Sequence, residues 1–523
     1  MAARRKFVNL DAMIPREDFA VISGASEGFT AKIDNISLRD FERDAPLLPN
    51  LRKPDFQRET NHWSPEQVAS LVQCFAEGDL IPSVILWSSP QYVFVIDGGH
   101  RLSALRAWIE DDFGDGPLSL SFFGHQITED QIKAANETRR LVQKDVGSWQ
   151  HWRARNKQPD LPEADRIKAK NLSTRAIPVQ WVLGDAEKAE ASFYRINTQG
   201  TPLDDIEELL IRNRKRPAPI AARSIIRAGM GHKYCSRFTV ENRVRIENAA
   251  KTLYQVLFEP ELDAPIKTLD LPLGGVAGVR TALSLLIDFV LIASRNQLGT
   301  PAKVDDQPED QTGELTIQVL EKSLALAGRM TGNTKGSLGL HPAVYFYGPS
   351  GRHAPPLFMG MVTLIARKIS NNDDRFFRTF TECRKSLEDV LLKSKPLLAA
   401  IIQQTRSVKR YATVADLLDH MIKSIKAGET PSEQQIIDWA GVSGKVIVGR
   451  ESATGRSFSE DTKSAVYLRQ ALEQALRCPI CNGYLDPQKS VSYDHRTPRR
   501  NGGLGSEENC QLTHPYCNQA MKN

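Results

Sequence analysis

Residues 478–518 read CPICNGYLDPQKSVSYDHRTPRRNGGLGSEENCQLTHPYCN, and they are the most informative segment for the structure of the C-terminal part of the chain. Cys478 and Cys481 form one pair of soft metal ligands separated by two residues, and His514 and Cys517 form a second pair. Two such pairs are typical of a tetrahedral Zn²⁺ held from two turns. The stretch therefore predicts a structural zinc site made by these four side chains.

A second set of polar residues lies between and beside the two pairs, and zinc does not need it. Hydrolysis of a phosphodiester requires a base for the attacking water and a cation near the phosphate. His495 is the candidate base, and Asp494, on the other side of the same strand, is the candidate ligand for Mg²⁺ or Mn²⁺. Asn518 can add an amide oxygen to that cation. Asn509 is the candidate acceptor that fixes the second ring nitrogen of His495.

The order Cys-x-x-Cys, Asp-His, Gly-Gly, Asn, His-x-x-Cys-Asn resembles the zinc-braced HNH nuclease family. The resemblance implies a ββα-metal fold, in which a hairpin with a tight turn at Gly502-Gly503 precedes a helix. It also implies that the four outer ligands are structural and that the working residues are Asp494, His495, Asn509 and Asn518.

His514 stands where this family usually has a cysteine, which leaves Cys510 as a competing ligand. Two alternatives remain open for this segment. One is a plain zinc knuckle in which the Asp494-His495 pair is incidental, and the other is a nuclease fold that has lost its activity.

Length and composition indicate a multidomain globular protein. The chain has 523 residues, of which 41% are hydrophobic and 25% charged, and this balance excludes a disordered chain. The longest apolar stretch is too short to span a bilayer, and no secretory signal follows the basic N-terminus. Seven scattered or zinc-paired cysteines do not suggest disulfides, so we expect a cytoplasmic protein without a membrane segment.

A second motif lies near the N-terminus, where a β-rich run at residues 92–96 leads into Asp97-Gly98-Gly99-His100-Arg101 and then into a helical run at 102–109. A glycine turn between a strand and a helix can bind an anion, because the free N–H groups of the first helical turn point at it. Arg101 would add a positively charged fork that suits a nucleotide phosphate. A tight turn with a capped helix is the alternative.

The wider context of this motif resembles the GmrSD-type restriction family over about residues 50–210. The residues that carry the resemblance are Phe56-Gln57-Arg58, Trp63, Ile81-Pro82, the Asp97–Arg101 box, and residues 193–203 with Glu207. The family has Asp-Gly-Gln-Gln-Arg where this chain has Asp-Gly-Gly-His-Arg. The resemblance implies a nucleotide-binding domain similar to ParB and sulfiredoxin, with its nucleoside triphosphate held by Asp97, Gly98, Gly99, His100, Arg101, Arg58 and Asn197.

The predicted fold class is α+β multidomain. We expect an N-terminal extension (1–50), a ParB-like α/β nucleotide-binding or sensor domain (51–217), a mainly helical domain (218–440), a linker (441–460) and a zinc-braced ββα-metal HNH domain (461–523).

The predicted function is a DNA endonuclease of a prokaryotic anti-phage defence system. Nucleotide or modified phage DNA would engage the N-terminal domain and control the C-terminal HNH site. Because one HNH site cuts one strand, the product is a nick unless two chains pair as a homo-oligomer. Two other classes stay open: a DNA-binding regulator or partition-like clamp with an inactive zinc-braced fold, and a nucleotide hydrolase acting alone.

Overall fold

The computed structural model describes residues 7–17, 19, 33–42, 44–55, 57, 60, 63–123, 127, 129–155, 160–199, 205–229, 235, 237–276, 279–295, 303–406, 409–444 and 457–521. Arg58, residues 200–204 and most of the predicted linker, residues 445–456, lie outside this part, as does the side chain of Asn197. The chain divides into two compact units, Met1–Arg214 with Met230–Phe238 and Lys215–Gly229 with Thr239–Asn523.

The first unit is built on a six-stranded mixed sheet. Its strands are β1 (Arg16–Glu17), β2 (Asn35–Ser37), β3 (Leu51–Pro54), β4 (Val84–Ser88), β5 (Val93–Asp97) and β6 (Ala176–Val182), in the order β1-β3-β5-β4-β6-β2. The pairs β1–β3, β3–β5 and β4–β6 are parallel, and β4–β5 and β2–β6 are antiparallel. The predicted β-rich run before the glycine box thus becomes β5, which lies with β4 at the centre of the sheet.

Helices cover both faces of this sheet. They are α1 (Pro65–Glu77), α2 (Gly99–Glu110), α3 (Pro117–Phe122), α4 (Glu129–Asp145), α5 (Trp149–Arg155), α6 (Glu163–Thr174), α7 (Ala186–Gln199) and α8 (Asp205–Arg212). The larger core contains Val84, Leu86 and Val95 from the sheet, and a smaller core on the other face contains Trp87, Phe94 and Ile96. Both faces of β4 and β5 are therefore buried, as expected for central strands under two helical layers.

The two ends of helix α1 are fixed by residues beside them in the chain. Ser64 Oγ accepts from the Gln67 N–H at 3.4 Å, and Gln67 Oε1 accepts from the Ser64 N–H at 2.9 Å, which completes a capping box. Pro65 occupies the first helical position, and Gly78 ends the helix with a left-handed φ of 92°.

Residues 7–17 and 33–50, predicted as part of a separate extension, are integral to the first unit. Strands β1 and β2 form the two edges of the sheet, and Val8, Leu10 and Met13 lie in its larger core. These strands have only two and three residues, too few for hydrophobic alternation to reveal them in the sequence. The boundary predicted at Leu51 therefore cuts through the domain.

The second unit consists of a large helical part and a small hairpin. Its helices are α9 (Pro217–Ile226), α10 (Val240–Phe258), α11 (Val279–Ala293), α12 (Glu314–Met330), α13 (Pro342–Tyr345), α14 (Pro355–Ser370), α15 (Asp374–Gln404), α16 (Arg410–Lys426), α17 (Glu433–Trp439) and α18 (Glu460–Glu473). The hairpin pairs β7 (Ser492–His495) with β8 (Cys510–Thr513) in antiparallel register. Among the helices of the described residues, none combines the length and the apolar character that a membrane span requires.

The C-terminal segment packs against the helical part of its unit. The Ile266 N–H donates to Ser464 Oγ at 3.0 Å, and Lys489 Nζ donates to the carbonyls of Glu259 at 2.7 Å and Leu271 at 2.9 Å. The Ser490 hydroxyl accepts from the Gly332 N–H at 2.8 Å. The predicted linker therefore joins two parts of one packed unit.

Candidate active site and zinc site

The four predicted zinc ligands come together at the base of the hairpin. Cys478 and Cys481 lie in a turn closed by the Cys478 N–H to the Gly483 carbonyl (2.9 Å), in which Asn482 has a left-handed φ of 56°. His514 directly follows β8, and Cys517 opens the short π-helical segment Cys517–Met521.

The geometry of these side chains fits a tetrahedral metal. Their ligand atoms all lie within 4.8 Å of one another, and His514 Nδ1 is 3.3 Å from Cys481 Sγ and 3.7 Å from Cys517 Sγ. A zinc ion with ordinary Zn–S and Zn–N bonds places its ligand atoms roughly 3.5–3.8 Å apart. Cys510 is exposed on β8 and does not belong to the cluster, so it does not compete with His514.

His514 is held in the form that a metal requires. Its Nε2 lies 2.9 Å from the Tyr484 carbonyl, which can only accept, so the ring proton is on Nε2 and Nδ1 is left for the metal. Burial, and next the nearby Arg384 guanidinium, lower the pKa of His514. The imidazole is therefore neutral at neutral pH.

Asp494 and His495 are neighbours on β7 and project to opposite faces of the hairpin. Asp494 is buried, and its Oδ2 accepts from Gln511 Nε2 at 2.8 Å. Gln511 is the residue directly opposite Asp494 on β8. The hairpin register thus fixes the orientation of the Asp494 carboxylate, which the sequence alone did not indicate.

Asn518 is tied to the strand that carries Asp494. Its Nδ2 donates to Ser492 Oγ at 2.8 Å and to the Tyr493 carbonyl at 3.1 Å. These two bonds orient the amide and leave its Oδ1 as the oxygen that can face a cation. Asp494 and Asn518 each carry an oxygen donor of the kind that Mg²⁺ and Mn²⁺ prefer.

His495 has a cationic neighbour that the nuclease motif did not predict. Arg499 Nε donates to His495 Nε2 across 3.3 Å. In this contact Nε2 is the accepting nitrogen of the imidazole. The four-residue spacing between His495 and Arg499 is the only sequence signal for it.

Asn509 occupies a different position from the predicted one. Its Oδ1 accepts from the Thr497 N–H at 2.7 Å, and its Nδ2 donates to the carbonyls of Thr497 (3.2 Å) and Leu504 (2.7 Å). The hydrogen bonds of the amide therefore close the loop that follows His495, and the prediction that Asn509 accepts from the His495 ring is wrong. Asn509 positions this loop, residues 496–509.

The two glycines of this loop are also placed differently from the prediction. Gly502 ends a 3₁₀ turn, Arg499–Asn501, with a φ of 82°, so the pair lies inside a long loop and not in a tight turn between the strands. A Cβ at Gly503 would lie 1.8 Å from the Thr497 carbonyl oxygen. Only glycine allows this close approach of two backbone segments.

The exposed surface beside His495 is basic and apolar. Arg496, Arg499 and Arg500 are exposed, and the side chains of Tyr493 and Leu504 are 74% and 76% exposed. Cations suit phosphate oxygens, and an exposed aromatic ring suits a nucleobase. The electrostatics of this face thus match a nucleic-acid backbone.

The glycine box of the first unit forms the predicted strand, turn and helix. Asp97 ends β5, Gly98 has a φ of 94°, and Gly99 begins α2. A Cβ at Gly98 would lie 2.5 Å from Val84 Cγ1, so glycine is required there for both conformation and space. The ring of His100 stacks on Trp63 with centroids 5.5 Å apart.

Arg101 lies beside the N-terminus of α2, where groups of the protein already engage its guanidinium. Its Nη2 donates to Asp97 Oδ2 at 2.7 Å and to the Ser83 carbonyl at 3.1 Å. The predicted fork is therefore engaged in an ion pair within the box. Arg58 and the side chain of Asn197, which complete the predicted nucleotide site, lie outside the described residues.

Gln57 is a polar residue beside the glycine box that the motif did not predict as a ligand. Its side-chain amide lies beside Gly99. A Cβ built at Gly99 would be 3.5 Å from Gln57 Nε2 and from Gln57 Oε1. Gln57 Oε1 is buried and has no hydrogen-bond partner among the residues described here.

Comparison with known protein families gives two matches. The model described as GmrSD restriction endonuclease, N-terminal domain, matches residues 38–214, and the HNH endonuclease model matches residues 478–523. No curated protein and no solved structure matches the chain. The chain thus combines a GmrSD-type N-terminal domain with an HNH endonuclease domain, which confirms the predicted fusion and supports an enzyme that hydrolyses DNA.

Proposed function

We propose that this chain is a metal-dependent DNA endonuclease of phage defence. Its HNH site breaks the phosphodiester backbone, and its GmrSD-type domain controls that activity. The observation that carries the proposal is the arrangement on β7: Asp494 and His495 are consecutive, and Asn518 is hydrogen-bonded to the same strand. A zinc knuckle without enzymatic activity does not require this arrangement.

In the proposed reaction His495 acts as the general base. Its unprotonated Nε2 takes a proton from the attacking water, and the resulting imidazolium can later return the proton to the leaving oxygen through solvent. Arg499 holds Nε2 before DNA binds. A phosphate group offers Arg499 a stronger partner than a neutral imidazole, so DNA binding would release Nε2 for the water.

Asp494 and Asn518 would hold the catalytic Mg²⁺ or Mn²⁺. When bound, the cation would stabilise the negative charge that grows on the phosphate. Gln511 keeps the Asp494 carboxylate oriented, and Ser492 keeps the Asn518 amide oriented. The protein thus prepares these oxygens before the cation arrives.

Zinc at Cys478, Cys481, His514 and Cys517 would have a structural role. All four protein ligands fill the coordination sphere, so no position is left for substrate. The ion ties the turn before β7 to the segment after β8. Asp494 lies between the two ligand pairs in the chain, and Asn518 directly follows Cys517. The distance between Asp494 and Asn518 would therefore depend on the zinc site.

The first unit would act as a sensor with a ParB-like nucleotide-binding fold. Gly98, Gly99 and the N-terminus of α2 offer N–H groups to a phosphate, and Gln57 Oε1 lies above them without a partner in the described region. Because Arg101 pairs with Asp97, an incoming phosphate would have to compete with that carboxylate. Nucleotide binding would therefore rearrange the Asp97–Arg101 pair.

The decisive experiment measures relaxation of supercoiled plasmid, with and without phage DNA modifications, in Mg²⁺ or Mn²⁺. We expect wild-type protein to nick DNA and His495→Ala to lose cleavage by roughly 10²–10⁴-fold while still binding DNA. The matched control is His151→Ala in the first unit, which removes a histidine whose Nε2 also contacts an arginine four residues later, Arg155.

Cleavage by His495→Ala at the wild-type rate would show that another group is the base. If wild-type protein binds DNA but never cuts it with any cation or nucleotide, the function is that of a DNA-binding regulator or clamp and not that of a nuclease. Adding each nucleoside triphosphate to wild type and to Arg101→Ala tests the sensor separately, because loss of nucleotide dependence leaves the HNH chemistry intact.

A further inference from the structure

A buried ion pair of the helical part lies directly behind the zinc site. Arg384 and Glu388, one turn apart on α15, are 1% and 0% exposed, and Arg384 Nε donates to Glu388 Oε1 at 2.8 Å. The Tyr345 hydroxyl donates to the same carboxylate oxygen at 2.9 Å. Buried charges of this kind are retained only where hydrogen bonds satisfy them.

The pair holds both backbone groups of Tyr484, three residues after the second zinc cysteine. Glu388 Oε2 accepts from the Tyr484 N–H at 2.8 Å, and Arg384 Nη2 approaches the Tyr484 carbonyl at 3.4 Å. The same carbonyl accepts from Nε2 of the zinc ligand His514 at 2.9 Å. Two side chains of α15 thus fix the backbone group that sets the tautomer and orientation of a metal ligand.

The packing around this contact leaves no room for adjustment. A Cβ at Gly483 would lie 2.5 Å from Arg384 Nε, and a Cβ at Gly339 would lie 2.9 Å from His514 Cδ2. Arg384 also donates to the carbonyls of Leu338 and Gly339. The loop that covers His514 and the turn that carries Tyr484 are therefore both fastened to one guanidinium.

We propose that Arg384 and Glu388 are positioning residues for the zinc ligand His514, so that helix α15 of the helical part determines how tightly the nuclease segment keeps its zinc. The HNH segment is then not an independent module. Groups that orient a metal ligand from behind typically change metal affinity by about 10–100-fold when they are removed. The inference concerns metal retention and does not depend on DNA cleavage.

The test uses the full-length zinc-loaded protein and measures zinc release to a coloured chelator, together with thermal unfolding. The main variant is Arg384→Met combined with Glu388→Leu, which replaces the ion pair by apolar side chains of similar size. We expect it to release zinc roughly 10–100-fold faster than wild type. In the Arg384→Met background, Glu388→Gln in place of Glu388→Leu keeps an acceptor for the Tyr484 N–H and should restore part of the slow release.

A matched pair of single variants separates positioning from loss of stability. Tyr345→Phe removes one hydroxyl from Glu388 Oε1, and Tyr411→Phe removes one hydroxyl that donates to Asp288 Oδ2 at 2.9 Å elsewhere in the same unit. We expect faster zinc release only in Tyr345→Phe. This pair decides the question if the double variant does not fold.

Equal release from Tyr345→Phe and Tyr411→Phe at equal melting temperature would overturn the inference, and so would wild-type release from a folded double variant. Acceleration in Tyr345→Phe alone, or in the double variant with rescue by Glu388→Gln, would support it.

Discussion

Arg499 Nε lies 3.3 Å from His495 Nε2, so an exposed cation covers the nitrogen that would act as the base. The contact lies within one loop of the nuclease hairpin and involves a side chain that DNA phosphates can attract. Substrate binding and activation of the base would thus share one residue.

We predict that Arg499→Ala weakens DNA binding and lowers the slope of log affinity against log salt by about one, because one phosphate contact is lost. Binding titrations at several salt concentrations measure this slope. Arg155→Ala is the matched control, because Arg155 also follows a histidine by four residues. Its Nη1 lies 3.2 Å from Nε2 of that histidine, His151. Identical slopes for both variants would mean that Arg499 does not contact phosphate.

We predict that Gly503→Ala reduces plasmid nicking by about 10-fold or more, because small displacements of catalytic groups cost that much. The added Cβ would collide with the Thr497 carbonyl oxygen and push the loop away from His495. Melting temperature should change little, since the loop is exposed. Gly505→Ala is the control, because nothing lies within 4 Å of its Cβ. Equal nicking rates in the two variants would contradict this role of the loop.

We predict that Asp494→Asn raises the Mn²⁺ concentration needed for half-maximal cleavage by about 10-fold or more, because a charged carboxylate is lost from a hard-cation site. Zinc content should stay at the wild-type value. Glu507→Gln removes an exposed carboxylate from the neighbouring loop and should leave the Mn²⁺ dependence unchanged. A wild-type Mn²⁺ requirement in Asp494→Asn would place the cation elsewhere.

Asp486 should make stability depend on pH. Burial raises its pKa from 3.8 to about 6, and its Oδ2 has no hydrogen-bond partner among the described residues. Between these two pKa values the folded state binds more protons than the unfolded state, so stability falls as pH rises from about 4 to about 6. The cost of the buried charge is fully present above pH 6.

We therefore predict that Asp486→Asn raises the free energy of unfolding at pH 7.5 by on the order of 2 kcal/mol, with a smaller gain at pH 4.5. Denaturant titrations of variant and wild type at each pH give the difference in their free energies of unfolding. Protonation of the zinc ligands affects both proteins equally and cancels in this difference. A gain that is the same at both pH values would show that the Asp486 charge is not its cause.

The elements that could be predicted depend on short-range signals. The capping box at Ser64 and Gln67 and the left-handed Gly78 fix the ends of α1 from neighbouring residues alone. The box at Asp97 to Arg101 was predicted for the same reason. Arg101 itself was predicted to face a phosphate, but it reaches back to Ser83, a partner that only the pairing of β4 with β5 brings near.

In the nuclease hairpin, too, some features follow from neighbouring residues and others depend on the fold. The order of ligands predicted which residues gather at the zinc site, whereas the contact between Asp494 and Gln511 follows from the strand register. Asn509 was assigned to the His495 ring, but the course of residues 496–509 directs its amide to Thr497 and Leu504.

Residue type and spacing within a short segment were enough to predict the metal-ligand set, the nuclease motif and the strand, turn and helix of the glycine box. Two other features became apparent only in the folded chain: short N-terminal strands complete the sheet, and Glu388 contacts Tyr484, 96 residues away in the chain. Such contacts are selected by the burial of whole faces against one another. The spacing of residues within a short segment does not predict which distant face will supply the partner.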